Sequence, residues 1–179
     1  RMLNTLRKAA KRGCKIIVFN NLKEVGLQRF ASPQVASELL TSSATTISHT
    51  YFSPKLGGDM AVVRGMVKHL IEIQTPFDNA FIQQHTTQMN AYIDQVKMTS
   101  WQQIEQQSGL SRSDIATAAE LFSAANKVIS TWAMGITQHK HSVSTIREIT
   151  NLHLLFAQIG RQGAGLCSVR GHSNVQGNR

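Results

Sequence analysis

The residues whose types and spacing could do chemistry gather in the last twenty positions, Gly160 to Arg179, which read GRQGAGLCSVRGHSNVQGNR. Arg170 and His172 stand there among glycine, serine and amide side chains. Glycine permits positive φ and a close approach of the backbone to a ligand, and successive backbone N–H groups bind anions. The segment therefore indicates contact with a large, polar, anionic ligand, although its composition is equally typical of a flexible tail.

A second candidate is Leu56 to Met60, LGGDM, which precedes a strong helical pattern. Backbone N–H groups at the start of a helix attract an anion. Asp59 could either cap this helix or accept hydrogen bonds from a ligand's base or ribose. The sequence alone favours capping.

A third candidate follows the β-rich apolar run KVISTWAM at 127–134 and reads GITQHKH from Gly135 to His141. A strand, a glycine turn and a helix beginning near Ser142 would place this loop at the carboxyl end of a strand, where open α/β sheets bind ligands. The spacing of His139 and His141 could suit a metal pair, but no Cys, Asp or Glu lies near enough in sequence to complete a site. Hydrogen bonding to a ligand, or exposure to solvent, is the favoured explanation.

The elements that must position these segments follow from periodicity. Residues 1–12 have the pattern of a basic amphipathic helix, Gly13 is placed to end it, and residues 15–19 read as a short buried parallel strand. Cys14 is expected to be a small buried residue at the start of that strand. Residues 44–52 predict a weak strand or an extended loop. The order of elements predicts an α/β fold, with a Rossmann-like, mostly parallel sheet flanked by helices and a helical portion at about 76–125.

The helix predicted at 143–159 has apolar residues at helical spacing and should pack under the sheet. In this pattern Arg147 and Glu148 face outwards. The apolar positions are Ile146, Ile149, Leu152, Leu154, Leu155 and Phe156.

Composition limits the classes of partner. The chain has 179 residues, of which 41% are hydrophobic and 16% charged, and its formal net charge is +9. This content is enough for a core and argues against disorder, while the charge favours an anionic partner: nucleic acid, a phosphate-bearing cofactor or an acidic membrane. No apolar run is long enough to span a bilayer. The two cysteines form neither a disulfide framework nor a zinc-type motif.

Residues 100–125 imitate a DNA-binding helix-turn-helix, so a basic nucleic-acid-binding module is the alternative function. The would-be recognition helix, however, has only Arg112 to read a base edge. Two helices packed on a sheet explain the segment better, with Ser111 as N-cap and Asp114 completing a capping box.

The run from Gly135 to Gly177 resembles the molybdopterin oxidoreductase family, and within it the branch similar to formate dehydrogenase catalytic subunits. Two phrases of that branch, NIGRPGAG and VRGxxNVQG, have counterparts here as QIGRQGAG at 158–165 and VRGHSNVQG at 169–177. Two residues depart from the pattern: Gln162 replaces a proline, and His172 replaces the glutamine of typical formate dehydrogenases.

The resemblance implies a cofactor-binding fragment of a two-electron oxidoreductase that holds molybdenum, with tungsten as the less favoured alternative, in two molybdopterin guanine dinucleotides. Arg170 would grip a small substrate near the metal, and His172 would alter proton handling there, which puts formate in doubt as the substrate. Neither residue is expected to bind the metal. The cofactor contacts implied by the resemblance are Asn20, Gly58, Asp59, Gly135, Thr137, Gln138, Gly171, Asn174 and Gln176.

The same resemblance implies that the metal ligand, and a possible [4Fe-4S] cluster, belong to regions upstream of Arg1. The expected partners are the cofactor, a small substrate and the remaining domains of the same subunit. Nucleic acid is not expected, and neither is a membrane span. A cytoplasmic location is expected.

We expect the 179-residue chain to show no turnover by itself, because the metal ligand and the other domains would be missing. The measurement is substrate oxidation by the purified chain without added domains. Measurable oxidation would contradict this interpretation.

Overall fold

The computed structural model describes residues 2–36, 38 and 43–169. The chain divides into two compact units, Arg1–Leu56 (unit 1) and Gly57–Arg179 (unit 2). Within the described ranges, no helix is long and apolar enough to cross a membrane.

Unit 1 pairs its strands in two short ribbons. β1 runs parallel to β4, with Ile17 opposite Thr50 and Phe19 opposite Phe52, whereas β2 and β3 are antiparallel. The strand predicted at 15–19 is confirmed in a shorter form, and the extended segment at 44–52 supplies its parallel partner. The described elements are α1 Met2–Lys11, β1 Ile17–Phe19, α2 Val25–Gln28, β2 Arg29–Phe30, β3 Thr45–Thr46 and β4 Thr50–Phe52.

Helix α1 ends as its sequence predicts, because Gly13 adopts a φ of +84° and its N–H donates to the carbonyl of Ala10. This is the usual C-terminal role of glycine. Cys14, which follows, is exposed. The expectation that it is buried was wrong, since β1 begins only at Ile17 and Cys14 lies in the connection between α1 and that strand.

A buried carboxylate stabilises unit 1. Glu38 accepts hydrogen bonds from the Arg7 guanidinium, from Lys11 Nζ at 2.8 Å and from the backbone N–H of Ser32 at 2.9 Å. These donors, with Arg7 first, lower the pKa of Glu38 to about 2. Glu38 therefore stays charged and ties α1 to the segment that contains Ser32.

Unit 2 is built around one helix, α3, which contacts α5, α6, α7 and α9. Its buried face includes Ala61, Val62, Gly65, Met66, Val67 and Leu70. The described elements of unit 2 are α3 Asp59–Glu72, α4 Asn79–His85, α5 Met89–Met98, α6 Trp101–Ser108, α7 Arg112–Ser123, β5 Ile129–Trp132, α8 Met134–Thr137, α9 Ser142–Leu155 and β6 Gly165–Ser168.

Gly65 sets how closely α6 and α7 approach α3. A Cβ at this position would lie 2.8 Å from Ile104 Cγ2 and 3.0 Å from Ile115 Cγ2. α7 begins at the capping box predicted from the sequence, in which Ser111 and Asp114 exchange hydrogen bonds. The segment that imitates a helix-turn-helix is thus packed against α3 through its apolar face.

Strands β5 and β6 form a parallel pair, with Ile129 opposite Gly165 and Trp132 opposite Ser168. β5 was predicted from the sequence. β6 was not, because it lies in the polar, glycine-rich segment Gly160 to Arg179. β6 forms because the run GLCS has backbone groups to pair even though its side chains bury little. The α/β class and the parallel pairing of β1 with β4 and of β5 with β6 confirm the predicted fold class.

The outward orientation predicted for Glu148 was wrong. Its side chain is buried, with 3% of the residue exposed, whereas Arg147 is exposed as predicted. The buried positions of α9 are Thr145, Glu148, Leu152, His153 and Leu155.

Gly65→Ala is expected to destabilise unit 2 by about 1–2 kcal/mol, because overpacking outweighs the helix propensity gained from alanine. Urea unfolding followed by tryptophan fluorescence reports this, since Trp101 and Trp132 both lie in unit 2. The control is Gly135→Ala, where an added Cβ meets nothing within 4 Å. Equal stability of Gly65→Ala and the wild type would contradict the close packing at Gly65.

His153 predicts a pH-dependent stability. It is fully buried, its Nε2 lies 2.7 Å from Ser130 Oγ, and burial lowers its pKa from 6.5 to about 4. The unfolded chain then binds more protons between these values, so stability is complete above pH 6.5 and falls as the pH drops towards 4, by up to about 3 kcal/mol.

The substitution His153→Gln should flatten the decline in unfolding free energy between pH 7 and 4.5, measured by urea titration at each pH. His85→Gln, which removes an exposed imidazole, tests whether losing any histidine has this effect. An unchanged slope in His153→Gln would rule out the assignment.

Candidate functional site

The site begins at the N-terminus of α3. Gly58 is the N-cap residue and provides no side-chain hydrogen bond to the helix. Asp59 is the first helical residue and not the N-cap, so the capping role that the sequence alone favours is not observed, and the cofactor contact that the resemblance implies stays a prediction. By contrast, α4, α6 and α7 begin at side-chain caps from Asp78, Ser100 and Ser111.

The N-terminus of α9 also has no side-chain cap. His141 is its N-cap residue and makes no side-chain capping bond. A helix N-terminus leaves several backbone N–H groups without an intrahelical partner. The two 14-residue helices of unit 2 therefore both begin with such groups uncapped by a side chain.

These two N-termini lie next to each other. Gly57 has a φ of +78°, and a Cβ built on it would lie 3.7 Å from His139 Nδ1. The charge of His139 also acts on the Asp59 carboxylate. The predicted segments at 56–60 and 135–141 are thus brought together, although they are more than seventy positions apart in sequence.

The electrostatics of this place are mixed. Helix N-termini carry partial positive charge, so two of them side by side favour an anion. Asp59 is half-buried, and burial raises the pKa of its carboxyl despite hydrogen bonding to its own backbone N–H and the charge of His139. The carboxylate retains the capacity to accept further hydrogen bonds from a ligand.

Trp132 adds an unpaired donor at the carboxyl end of β5. Its Nε1 is buried and has no hydrogen-bond partner among the described residues. A buried N–H without an acceptor is uncommon in native structures and costs free energy. Sequence reasoning missed this residue, because an apolar strand gave no reason to single out one indole.

Three other predicted contacts lie between β5 and α9. Gly135, Thr137 and Gln138 are exposed, the first two within α8 and Gln138 at its C-terminal end. Their exposure leaves them accessible to a ligand in this loop, and their role as contacts stays a prediction.

Asn20 lies in unit 1 at the carboxyl end of β1, as predicted. Its Oδ1 accepts from the backbone N–H of Leu22 at 3.3 Å, and its Nδ2 donates to Glu24 Oε2 at 3.1 Å. The Tyr51 hydroxyl accepts from the backbone N–H of Glu24 at 3.2 Å. The Asn20 amide therefore shapes its own loop, and its predicted contact with the cofactor remains untested.

Five predicted site residues lie outside the described residues: Arg170, Gly171, His172, Asn174 and Gln176. Among the residues that are described, no three His, Cys, Asp or Glu side chains are grouped to hold a metal ion.

The helix-turn-helix alternative depended on Arg112. Its Nη2 donates to Glu72 Oε2 at 2.8 Å, and its guanidinium lies 4.6 Å from the centroid of the Trp101 ring. The Arg112 guanidinium thus contacts two side chains of unit 2 at the surface, and nucleic-acid binding stays the less favoured alternative.

No family profile matches the chain. Over 188 aligned residues, which include the whole chain, it is 43% identical to Protein YdeP of Escherichia coli strain K12 and covers 25% of that protein. Formate dehydrogenase H of the same strain is 32% identical over 131 residues, which are 73% of this chain and 18% of that enzyme.

The chain belongs to the molybdopterin oxidoreductase family. Acetylene hydratase from Pelobacter acetylenicus shares its fold, with a TM-score of 0.73 and 21% identity over 90% of this chain and 20% of that one. The chain spans about a quarter of the length of YdeP.

Sequence reasoning also missed a polar cluster inside this molybdopterin oxidoreductase segment. Arg64, Tyr92 and Glu148 meet between α3, α5 and α9. A signal was present, because Glu148 shares the spacing of 145, 148, 152 and 155, which is the stripe that α9 buries. The apolar residues of α9 drew attention to a neighbouring stripe instead.

Proposed function

We propose that this chain forms part of the pterin dinucleotide-binding α/β region of a molybdenum-dependent enzyme that oxidises or reduces a small substrate by two electrons. The observation that carries the proposal is the adjacency of the α3 and α9 N-termini, both without side-chain caps, beside the half-buried carboxylate of Asp59. Membership of the family and similarity to formate dehydrogenase H support the same function.

The residues present fit a pterin guanine dinucleotide. Its pyrophosphate needs N–H donors, which the two helix N-termini and the buried Trp132 Nε1 can supply. Its guanine presents adjacent N–H donors, which match the two oxygens of the Asp59 carboxylate. His139 lies within van der Waals distance of a Cβ built on Gly57, beside this place.

In this proposal the chain binds and orients, while the cofactor supplies the metal and dithiolene chemistry through which electrons pass. The backbone N–H groups at Gly58 and Asp59 and at the start of α9 neutralise phosphate charge. Gly135, Thr137 and Gln138 contact the cofactor from the loop after β5. Asn20, Gly171, Asn174 and Gln176 complete the proposed contacts.

Arg170 and His172 are the proposed catalytic residues. A guanidinium at position 170 would hold a small anionic substrate through paired hydrogen bonds, which lysine could not reproduce. An imidazole at position 172 can gain or lose a proton near neutral pH, so it would exchange protons with the substrate where an amide could not. This difference favours a substrate other than formate.

The test uses the full-length protein. Purified wild type should contain molybdenum, measured by mass spectrometry, and should release GMP from its guanine dinucleotides on acid hydrolysis. Asp59→Asn should weaken dinucleotide binding roughly 10- to 100-fold, since hydrogen bonds to a charged group contribute about 1.5–3 kcal/mol.

The matched control is Asp78→Asn, because asparagine caps a helix as well as aspartate does and Asp78 caps α4 in the same unit. A wild-type protein that contains neither pterin nor metal would contradict the proposed function. If the wild type and Asp59→Asn contained equal amounts of the dinucleotide, Asp59 would not be part of the site, but the proposed function would stand.

A further inference from the structure

A buried ion pair joins the two helices whose N-termini form the candidate site. Arg64 of α3 donates from Nε to Glu148 Oε1 of α9 at 2.8 Å, and its Nη2 contacts the same oxygen. The side chain of Glu148 is 4% exposed, and that of Arg64 is 28% exposed. The pair therefore lies mostly inside unit 2.

Tyr92 of α5 completes the cluster. Its hydroxyl donates to Glu148 Oε2 at 2.6 Å, so both carboxylate oxygens have partners. Burial and the charge of Glu148 raise the pKa of Tyr92, which keeps the hydroxyl protonated as a donor. Three helices thus meet at one carboxylate.

The cluster lies at the same depth below both N-termini. Arg64 is five residues after Asp59, and Glu148 is six residues after Ser142, which correspond to about 8 Å and about 9 Å along the helix axes. Since Gly57 and His139 also lie close together, α3 and α9 run side by side in the same direction. The ion pair therefore determines how far one N-terminus lies above the other.

Stability alone does not account for such a pair. Burying two charges costs free energy, and replacing a buried ion pair by well-packed apolar residues is often neutral or stabilising. Two parallel helix dipoles also repel each other slightly at their adjacent ends. The charged, directional contact between Arg64 and Glu148 is suited to holding the N-termini of α3 and α9 at a fixed separation.

We propose that Arg64, Tyr92 and Glu148 are positioning residues that hold the N-termini of α3 and α9 at the separation needed to bind the phosphates of the dinucleotide. The proposal rests on the proposed function.

Unit 2 offers a matched control on the same helix. His69 of α3 lies 2.9 Å from Glu120 Oε1 of α7, and Glu120 is largely exposed. This contact joins α3 to a helix outside the candidate site. Glu120→Gln removes one carboxylate partner of α3, as Glu148→Gln does, without touching α9.

The experiment measures how fast molybdenum and GMP are lost from purified full-length protein during incubation well below its thermal midpoint, followed by gel filtration. Glu148→Gln should lose them at least 10-fold faster than the wild type, and Tyr92→Phe about 3-fold faster. Glu120→Gln should lose them at the wild-type rate.

The triple variant Arg64→Met, Tyr92→Phe, Glu148→Leu separates positioning from stability, because it removes all three polar members of the cluster together and leaves none of them buried without the other two. We expect its thermal midpoint to return near that of the wild type while its cofactor loss remains fast. The proposal would be overturned if the triple variant recovered both the thermal midpoint and the rate of cofactor loss of the wild type. A wild-type rate of cofactor loss in Glu148→Gln would overturn it too. A wild type that contains no dinucleotide would overturn the proposed function as well, so the two failures are distinguishable.

Discussion

Unit 2 depends on the burial of α3 among its neighbouring helices. This helix contacts α5, α6, α7 and α9, and Val67 and Leu70 are fully inaccessible to solvent. Gly65 allows Ile104 and Ile115 to approach the backbone of α3. Because close-packed interiors leave little room to shift, this packing sets the direction of α3 over its whole length.

Electrostatics then distinguish the two ends of α3. Its C-terminal half carries Glu72, which pairs with Lys68 one turn earlier in the same helix and with the exposed Arg112 of α7, and exposed pairs of this kind contribute little. Its N-terminal half meets the buried Glu148 and the uncapped start of α9. Among the described ion pairs of α3, the one with the most buried carboxylate therefore lies towards the candidate site, which is where a bound anion would offset the partial positive charge of two helix N-termini.

Local signals predicted much of the fold. The helix stop at Gly13, the capping box of Ser111 and Asp114, and the apolar run of β5 are decided by residues close in sequence, and each was confirmed. The short strand β6 was not predicted, because its pairing with β5 depends on backbone partners more than thirty residues away. Cys14 was misplaced for a local reason, since β1 begins later than the apolar pattern indicated.

The candidate site was predictable only in part. The segments at 56–60 and 135–141 were identified separately, but their contact through Gly57 and His139 depends on the packing of α3 against α9. Glu148 was assigned to the wrong face because the apolar residues of α9 indicated a neighbouring stripe as the buried one, whereas its arginine and tyrosine partners come from helices that sequence spacing cannot bring together. A charged residue on the spacing of a buried stripe is better interpreted as one that has a partner inside the fold. Arg64 fits this rule too, since it stands between Val63 and Gly65 in an otherwise apolar stretch of α3, and its guanidinium satisfies the carboxylate that α9 buries.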